Sequence, residues 1–219
     1  PSNVTVFGQS AGAMAIGSRM QSEVMGLKQA VINAGQANAM LQIADGAMST
    51  ISDILTRMRV LAMQADSANL GDTEREFLDA EFQALIAEID RVANDTEFNG
   101  TKLINAATSL TFKIGTGTVA TEDDLTFSIS AVTAADLGVD GDDVLNTTNT
   151  ETALTNLSAA IDTLNTARAE IGAAQNRLDY ATANLQIAIE NSEAARSTLL
   201  DLDLAAEMTN FTSKQVLLQ

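Results

Sequence analysis

Apolar residues recur every seven positions over much of the first third of the chain. One row contains Met20, Leu27, Ala34, Leu41, Met48, Leu55 and Ala62, and a second contains Ala30, Ala37, Ala44, Ile51, Met58 and Ala65. Sustained heptad spacing is typical of a helix that packs along one stripe against other helices. No proline interrupts this stretch. The pattern therefore predicts a single helix over residues 13–65, about 80 Å long at a rise of about 1.5 Å per residue.

A second, shorter helix is predicted after the polar stretch from Asp66 to Asp72. Thr73 and Glu76 have the spacing of a capping box, which marks the start of a helix. One apolar stripe follows, and it contains Leu78, Phe82, Leu85, Ile89 and Val92. The segment from Asn94 to Gly100 closes with Asn-Gly, a strong turn signal, so we expect the helix to end there.

The apolar period changes from helical to two between Lys102 and Leu137. Two alternating runs are present, Leu110, Phe112 and Ile114 in the first and Leu125, Phe127 and Ile129 in the second. Such alternation predicts two strands, and the turn residues between them predict a hairpin. The stretch from Gly138 to Thr152 is rich in Asp and Thr, and it predicts a short exposed loop with no further domain.

The last segment has the most regular heptads. Large side chains occupy one row, namely Leu157, Leu164, Ile171, Leu178, Leu185 and Leu199, while a second row contains Ala160, Ala167, Ala174, Ala181, Ala188, Ala195 and Leu202. Large residues beside small ones allow a neighbouring helix to approach closely and interdigitate. We therefore expect the two long helices to pack against each other, with the shorter helix alongside.

These patterns predict a mainly α fold, an elongated bundle of long antiparallel heptad helices with a small β-hairpin region. We divide it into an atypical N-terminal segment at 1–12, N-terminal core helices at 13–101, a hairpin and short loop at 102–150, and a C-terminal core helix at 151–219. All four parts are expected to form one rod-like domain. Helix packing is assigned to Leu27, Leu41, Leu55, Leu157, Leu164, Ile171, Leu178 and Leu185.

Composition narrows the possible functions. Twelve basic against 29 acidic residues give a net charge of −17, which disfavours nucleic acid and anionic lipid as partners. No run is long enough to span a membrane, so no membrane insertion is expected. The chain has no His and no Cys, which removes the commonest metal ligand and the usual general base. We expect no cofactor, no metal site and no enzymatic activity, and we interpret the paired aspartates as solvated turns.

One short motif suggests different chemistry. Residues Asn3 to Gly12 contain Gly-x-Ser-x-Gly around Ser10, and this stretch resembles the nucleophile elbow of type-B carboxylesterases, in which a strand-to-helix turn exposes the serine. A serine nucleophile needs a base, usually His. Since the chain has none, the sequence does not predict catalysis. An appended segment, a natural divergence and a wrong residue assignment remain alternative explanations for residues 1–12.

Motifs from both halves of the chain resemble the core of bacterial flagellins in order and spacing. They are Ala15–Met20, Gly26–Ala30, Ala44–Met48, Leu55–Gln64, Glu88–Val92, Phe98–Leu103, Gly172–Leu178, Ala194–Ser197 and Asp201–Met208. The resemblance covers about residues 13–219. It implies a structural subunit of the extracellular flagellar filament, which serves motility, and export by the flagellar type III apparatus with the help of export chaperones. It also implies that terminal segments needed for self-association into the filament are missing from the chain.

The family resemblance also suggests a recognition surface. Flagellins are bound by Toll-like receptor 5 through an Arg, a Leu and a Glu, and the matched motifs place these at Arg57, Leu61 and Glu81. Arg57 and Leu61 are one helical turn apart and off the main heptad rows, so we expect them to face outward together. The alternative is that this face serves subunit packing, with Arg57 merely solvated beside Asp53.

Two other functions remain open at this point. A hook–filament junction protein shares terminal helices of this type, although its terminal motifs are expected to match less closely. A flagellin-like glycan-binding protein of the cell surface is the other alternative, because a binding function in the loops needs no recognisable motif.

Overall fold

The computed structural model describes residues 2–117, 119 and 123–217. It contains α1 (Ser2–Ala65), α2 (Asp72–Asp95), β1 (Glu97–Phe98), β2 (Thr101–Lys102), β3 (Thr108–Lys113), β4 (Asp124–Ile129), α3 (Ala134–Leu137) and α4 (Thr147–Leu217). Two long helices, one shorter helix and one four-residue helix thus accompany two small pairs of strands. The predicted fold class is confirmed.

The second helix begins differently from the prediction. Its N-cap is Gly71, which makes no side-chain capping hydrogen bond, and the N–H of Arg75 donates to the Gly71 carbonyl at 3.2 Å. Thr73 therefore lies within the first turn, and the predicted capping box of Thr73 and Glu76 is wrong. Asp72 and Glu74 in that turn complement the positive end of the helix dipole instead.

The loop that was predicted from Gly138 to Thr152 is shorter than expected. Helix α4 already begins at Thr147, because Asn146 caps it: the Asn146 Oδ1 accepts from the N–H of Asn149 at 2.9 Å. Asparagine is among the best N-cap residues, since its side chain satisfies a free N–H of the first turn. The side chain of Thr150 is consequently buried within the helix rather than exposed in a loop.

Both strand pairs follow turn chemistry and alternation. Strands β1 and β2 pair antiparallel, with Glu97 opposite Lys102, around Asn99 and Gly100, which both have positive φ (49° and 78°). A two-residue hairpin turn of this hand favours Asn-Gly. Strands β3 and β4 form the predicted hairpin, and β4 buries Leu125, Phe127 and Ile129 while the residues between them stay on the other face.

The chain divides into two compact units. Unit 1 comprises Pro1–Gly35, Phe112–Leu125 and Asp179–Gln219, and unit 2 comprises Gln36–Thr111 and Thr126–Leu178. The single rod-like domain expected from the sequence stays a prediction.

The core of unit 2 is built from bulky side chains of every kind of element in it. Its largest fully buried residues are Phe82, Leu41, Met48, Ile51, Leu55, Met58, Leu61, Ile89, Leu103, Ile104, Ile129 and Leu157. Unit 1 contains a smaller cluster of Leu27, Ala30 and Leu185, against which Val31, Ile114, Ala188 and Ile189 pack while remaining partly exposed.

Candidate assembly and recognition surfaces

The eight residues assigned to helix packing all lie in the interior. Leu41, Leu55, Leu157, Leu164, Ile171 and Leu178 have at most 1% of their surface exposed, and Leu27 and Leu185 have 8% and 7%. In α1 the second row is buried as well, from Ala30 to Ala65. The heptad rows of α1 and α4 are thus the surfaces by which these helices bury apolar area.

Each unit also contains an ion pair between α1 and α4. In unit 2, the Nε of Arg168 donates to the Asp45 Oδ1 at 2.8 Å and its Nη2 donates to Oδ2 at 3.4 Å. The hydrogen bond from Asp45 raises the pKa of Arg168. In unit 1, the Nζ of Lys28 lies 2.7 Å from the Glu193 Oε1, and this hydrogen bond lowers the pKa of Glu193. The earlier residue of α1, Lys28, thus pairs with the later residue of α4, and the later residue of α1, Asp45, pairs with the earlier one, as antiparallel packing requires.

Arg57 and Glu81, two of the three predicted recognition residues, lie together on the surface of unit 2. The Arg57 Nε and Nη2 both lie 2.8 Å from the Glu81 Oε1. Their side chains are 52% and 44% exposed. The pair joins α1 to α2 and leaves both charged groups accessible to a partner.

The expectation that Leu61 faces outward beside Arg57 is wrong. Its side chain is only 1% exposed. With Met40 and Ile54, Leu61 forms a third buried row on α1 at heptad spacing. The Arg57–Glu81 pair shows that α2 lies alongside α1 at this level, and a helix with neighbours on two sides buries a wider arc than the two rows read from the sequence.

Arg75 is a structural residue that the sequence patterns do not predict. Its Nε donates to the carbonyl of Ala65, the last residue of α1, at 3.0 Å, and its Nη2 donates to the Ser67 carbonyl at 3.3 Å. The guanidinium is nearly buried, and its Nη1 lies 3.7 Å from the Asp72 carboxylate. It satisfies the Ala65 carbonyl at the negative end of α1 and adds a second donor to the Ser67 carbonyl, which also accepts from the N–H of Leu70. A basic residue in the first turn of a helix is electrostatically unfavourable. The position of Arg75 in the sequence therefore indicates that its side chain has another partner.

The nucleophile-elbow geometry around Ser10 is not found. Residues 2–12 lie within α1, whereas the elbow needs a strand followed by a sharp turn. The side chain of Ser10 lies outside the described residues.

The described residues contain neither a candidate membrane-spanning helix nor a candidate metal-binding cluster. The described helices include none that is long and apolar enough to cross a membrane. The described acidic side chains form no group of three or more that would hold a metal ion.

Comparison with known families matches most of the chain. Residues 4–109 match the bacterial flagellin N-terminal helical region, and residues 154–219 match the bacterial flagellin C-terminal helical region. The "Flagellar filament 33 kDa core protein" of Treponema phagedenis is 35% identical over 230 aligned positions, which cover 97% of this chain and 79% of that protein. The flagellin of Bacillus subtilis is 32% identical, with 97% and 80% of the two chains covered.

Solved structures agree with these sequence matches. The crystal structure of Bacillus cereus flagellin superposes with a TM-score of 0.59 at 31% identity, covering 70% of this chain and 88% of that one. A putative flagellar hook-associated protein of Vibrio parahaemolyticus superposes with a TM-score of 0.69 at 15% identity, covering 84% and 96%, which at this identity shows a shared fold alone. The two family regions and the relatives above 30% identity show that this chain belongs to the bacterial flagellin family.

Proposed function

We propose that this flagellin acts as a structural subunit of the bacterial flagellar filament, with the heptad rows of α1 and α4 as the parts that carry the role. The supporting observation is the burial of the eight row residues. Tightly interdigitated rows make the helices stiff, while exposed faces stay free for neighbouring subunits. Self-association is therefore the proposed mode of action, and the chain needs no cofactor for it.

Immunogold electron microscopy of the producing bacterium, with an antibody against this chain, tests the proposal. A structural subunit labels filaments along their whole length. Label confined to the end next to the hook would instead identify a hook–filament junction protein. Label on the cell surface away from filaments, together with retention of the chain on a glycan array, would identify a glycan-binding protein. A bacterium without filaments but otherwise identical provides the labelling control.

We further propose that the chain reaches the filament by flagellar type III export, with an export chaperone as a transient partner, and so becomes extracellular. Support comes from family membership, since the matched relatives include filament core proteins. Disabling the export apparatus in the producing bacterium should keep the chain inside the cells. Continued appearance of the chain in the medium, with a cytoplasmic marker absent there, would contradict this route.

We also propose that the chain has no enzymatic activity. The chain contains no His to activate Ser10. An ester-hydrolysis assay with the purified chain should give the same background rate for the native chain and for Ser10→Ala. Turnover that disappears in the variant would overturn the proposal.

Recognition by Toll-like receptor 5 is a second proposed property. It is supported by the exposed Arg57–Glu81 pair, since charged groups at an interface fix the orientation of a partner and accelerate its association. Leu61 does not contribute a contact on this face, because it is buried. Its expected role is to hold α1 against α2 beneath the pair.

A receptor-reporter assay with charge variants tests this property. Arg57→Ala is expected to weaken signalling strongly, whereas Arg59→Ala, a matched change of an exposed Arg on the same helix, is expected to leave it nearly unchanged. Equal potency of both variants and the native chain would exclude this surface. Circular dichroism of each variant checks that the helices are retained.

A further inference from the structure

The loop between α3 and α4 is fastened to α2 by polar contacts in unit 2. The N–H of Val144 donates to the Asp79 Oδ1 at 3.0 Å, and the Gln83 Nε2 donates to the carbonyl of Asp142 at 2.9 Å. Asp79 and Gln83 are one turn apart on α2 and are themselves hydrogen-bonded at 3.3 Å. Two adjacent side chains of α2 thus hold the backbone of this loop.

The same loop is fastened to α4 through two aspartates. The Asp142 Oδ1 accepts from the Asn156 Nδ2 at 2.8 Å. The carboxylate of Asp143 accepts from the Asn149 Nδ2 at 2.8 and 2.9 Å, and its Oδ1 also accepts from the N–H of Leu145. Asp142 is therefore the residue whose backbone contacts α2 and whose side chain contacts α4.

The second carboxylate oxygen of Asp142 is exceptional. Oδ2 is buried and has no hydrogen-bond partner among the described residues. An ionised carboxylate is an acceptor at both oxygens, and leaving a buried acceptor without a donor costs free energy. The charged form of Asp142 is therefore poorly accommodated, although its Oδ1 is well bonded.

The charges around Asp142 act in the same direction as its burial. Asp140 and Asp143 face it from its own loop, Asp79 of α2 accepts from the nearby N–H of Val144, and the contact from α4 is the neutral amide of Asn156. Burial, followed by the charges of Asp140 and Asp143, raises the pKa of Asp142, against the opposing hydrogen bond from Asn156.

We propose that Asp142 makes the joint between α2, the loop and α4 acid-responsive: protonation of its buried, unbonded carboxylate oxygen tightens the joint, and ionisation loosens it. The proton comes from solvent and neutralises one carboxylate, and no other bond changes. A carboxyl group whose pKa is higher in the folded than in the unfolded chain stabilises the folded state most when it is protonated. That contribution is fully present below the pKa of the unfolded chain, and it is lost as pH rises through the folded pKa.

Urea unfolding of the whole chain between pH 4 and pH 8, for the native chain and Asp142→Asn, tests this proposal. The ratio of the native to the variant unfolding constant is expected to rise with pH, by up to about tenfold per pH unit in the window between the unfolded and folded titration midpoints. Using the ratio removes any pH-independent packing effect of the new side chain. Asp162→Asn is the matched control, since Asp162 is exposed on α4 and is not among the charges that act on Asp142, and its ratio should change much less.

A ratio for Asp142→Asn that is constant or falls with rising pH would overturn the proposal. If the variant does not fold, the carboxyl carbons of the native chain are titrated by NMR instead. A midpoint of Asp142 above the ordinary value for an aspartate, with the Val144 N–H resonance moving at the same pH, supports the joint. A midpoint at or below that value refutes it.

Discussion

Unit 1 and unit 2 share the same two long helices and the same heptad rows, yet they bury very different side chains. The twelve large, fully buried side chains named above all belong to unit 2. The corresponding cluster in unit 1 is small, with leucines, an alanine and partly exposed neighbours. On α1, Met14, Met25 and Ile32 of unit 1 are each more than half exposed.

The difference is explained by the neighbours that each stretch of helix has. In unit 2, α1 has a third buried row of Met40, Ile54 and Leu61, and the Arg57–Glu81 pair joins this part of α1 to α2. In unit 1, the tip of the β3–β4 hairpin supplies the additional contacts to α1, through Thr116 beside Gly26 and Lys113 beside Asn33. A heptad row therefore specifies which side chains turn inward, and the number of packed neighbours determines how much apolar area is removed from water.

The first prediction compares leucine-to-alanine changes in the cores of the two units. Leu55→Ala in unit 2 should lower the free energy of unfolding by about 2–5 kcal/mol, because it leaves a cavity among fully buried neighbours. Leu27→Ala in unit 1 makes the same chemical change and should cost less, since its surroundings are partly exposed. Native-state hydrogen exchange measures each unit separately, which a single melting temperature does not. Equal costs would contradict the difference between the cores.

A second prediction concerns the connection that gives unit 2 its additional helix. Arg75→Met removes the hydrogen bonds to the carbonyls of Ala65 and Ser67 and should cost about 1.5–3 kcal/mol, the usual range for bonds from a charged donor. Arg59→Met on the exposed face of α1 should change stability by no more than about 0.5 kcal/mol. Urea unfolding of both variants measures the two effects. A cost for Arg75→Met as small as that of the control would show that the turn between α1 and α2 is stable without the hydrogen bonds from Arg75.

A third prediction tests the close approach in unit 1. A Cβ on Gly26 would lie 2.8 Å from the Thr116 Cγ2, whereas one on Gly35 would have nothing within 4 Å. Gly35→Ala should stabilise the chain by about 0.5–1 kcal/mol through helix propensity alone. Gly26→Ala gains the same propensity but must displace Thr116, so it should be less stable than Gly35→Ala by about 1 kcal/mol or more. NMR shifts confined to the hairpin tip would locate the displacement; equal stabilities would exclude the steric contact.

The smallest expected effect concerns the exposed ion pair of unit 1. The hydrogen bond from Lys28 lowers the pKa of Glu193, so its small stabilising contribution is present above the pKa of the unfolded chain and is lost as pH falls through the folded pKa. Lys28→Met should raise the NMR titration midpoint of Glu193 towards its ordinary value. Lys102→Met, a change of an exposed Lys that pairs with Glu97 instead, should leave that midpoint unchanged. An unaltered Glu193 midpoint in Lys28→Met would show that the pair is not formed in solution.

Much of the fold was predictable because its signals are local. The two rows of α1, the leucine row of α4 and the alternation in β4 each depend on neighbouring positions along the chain. The exception among local signals is the capping of helices. Thr73 has the spacing of a capping residue, but the N-cap of α2 is Gly71. Asn146 caps α4 at a point where the sequence still predicts a loop. Several polar residues near a helix end compete for that role, and the sequence does not rank them.

The candidate recognition surface was predictable only in part. Arg57 and Glu81 are 24 residues apart along the chain and form an exposed pair, as the family motifs suggested. The burial of Leu61 depends on where α2 lies, and the contacts of Arg75 and Asp142 depend on two or three elements meeting at one point. Periodicity along one helix contains no information on which other element covers its flank.

Hydrogen exchange along α1, followed by mass spectrometry, tests whether packed neighbours rather than heptad rows set the stability of this flagellin. Peptides from residues 40–62, which three buried rows hold in unit 2, should exchange much more slowly than peptides from residues 14–32 in unit 1. Slower exchange in residues 40–62 that is selectively lost in Arg75→Met would support the claim further. Equal protection of the two stretches, or greater protection of residues 14–32, would contradict it.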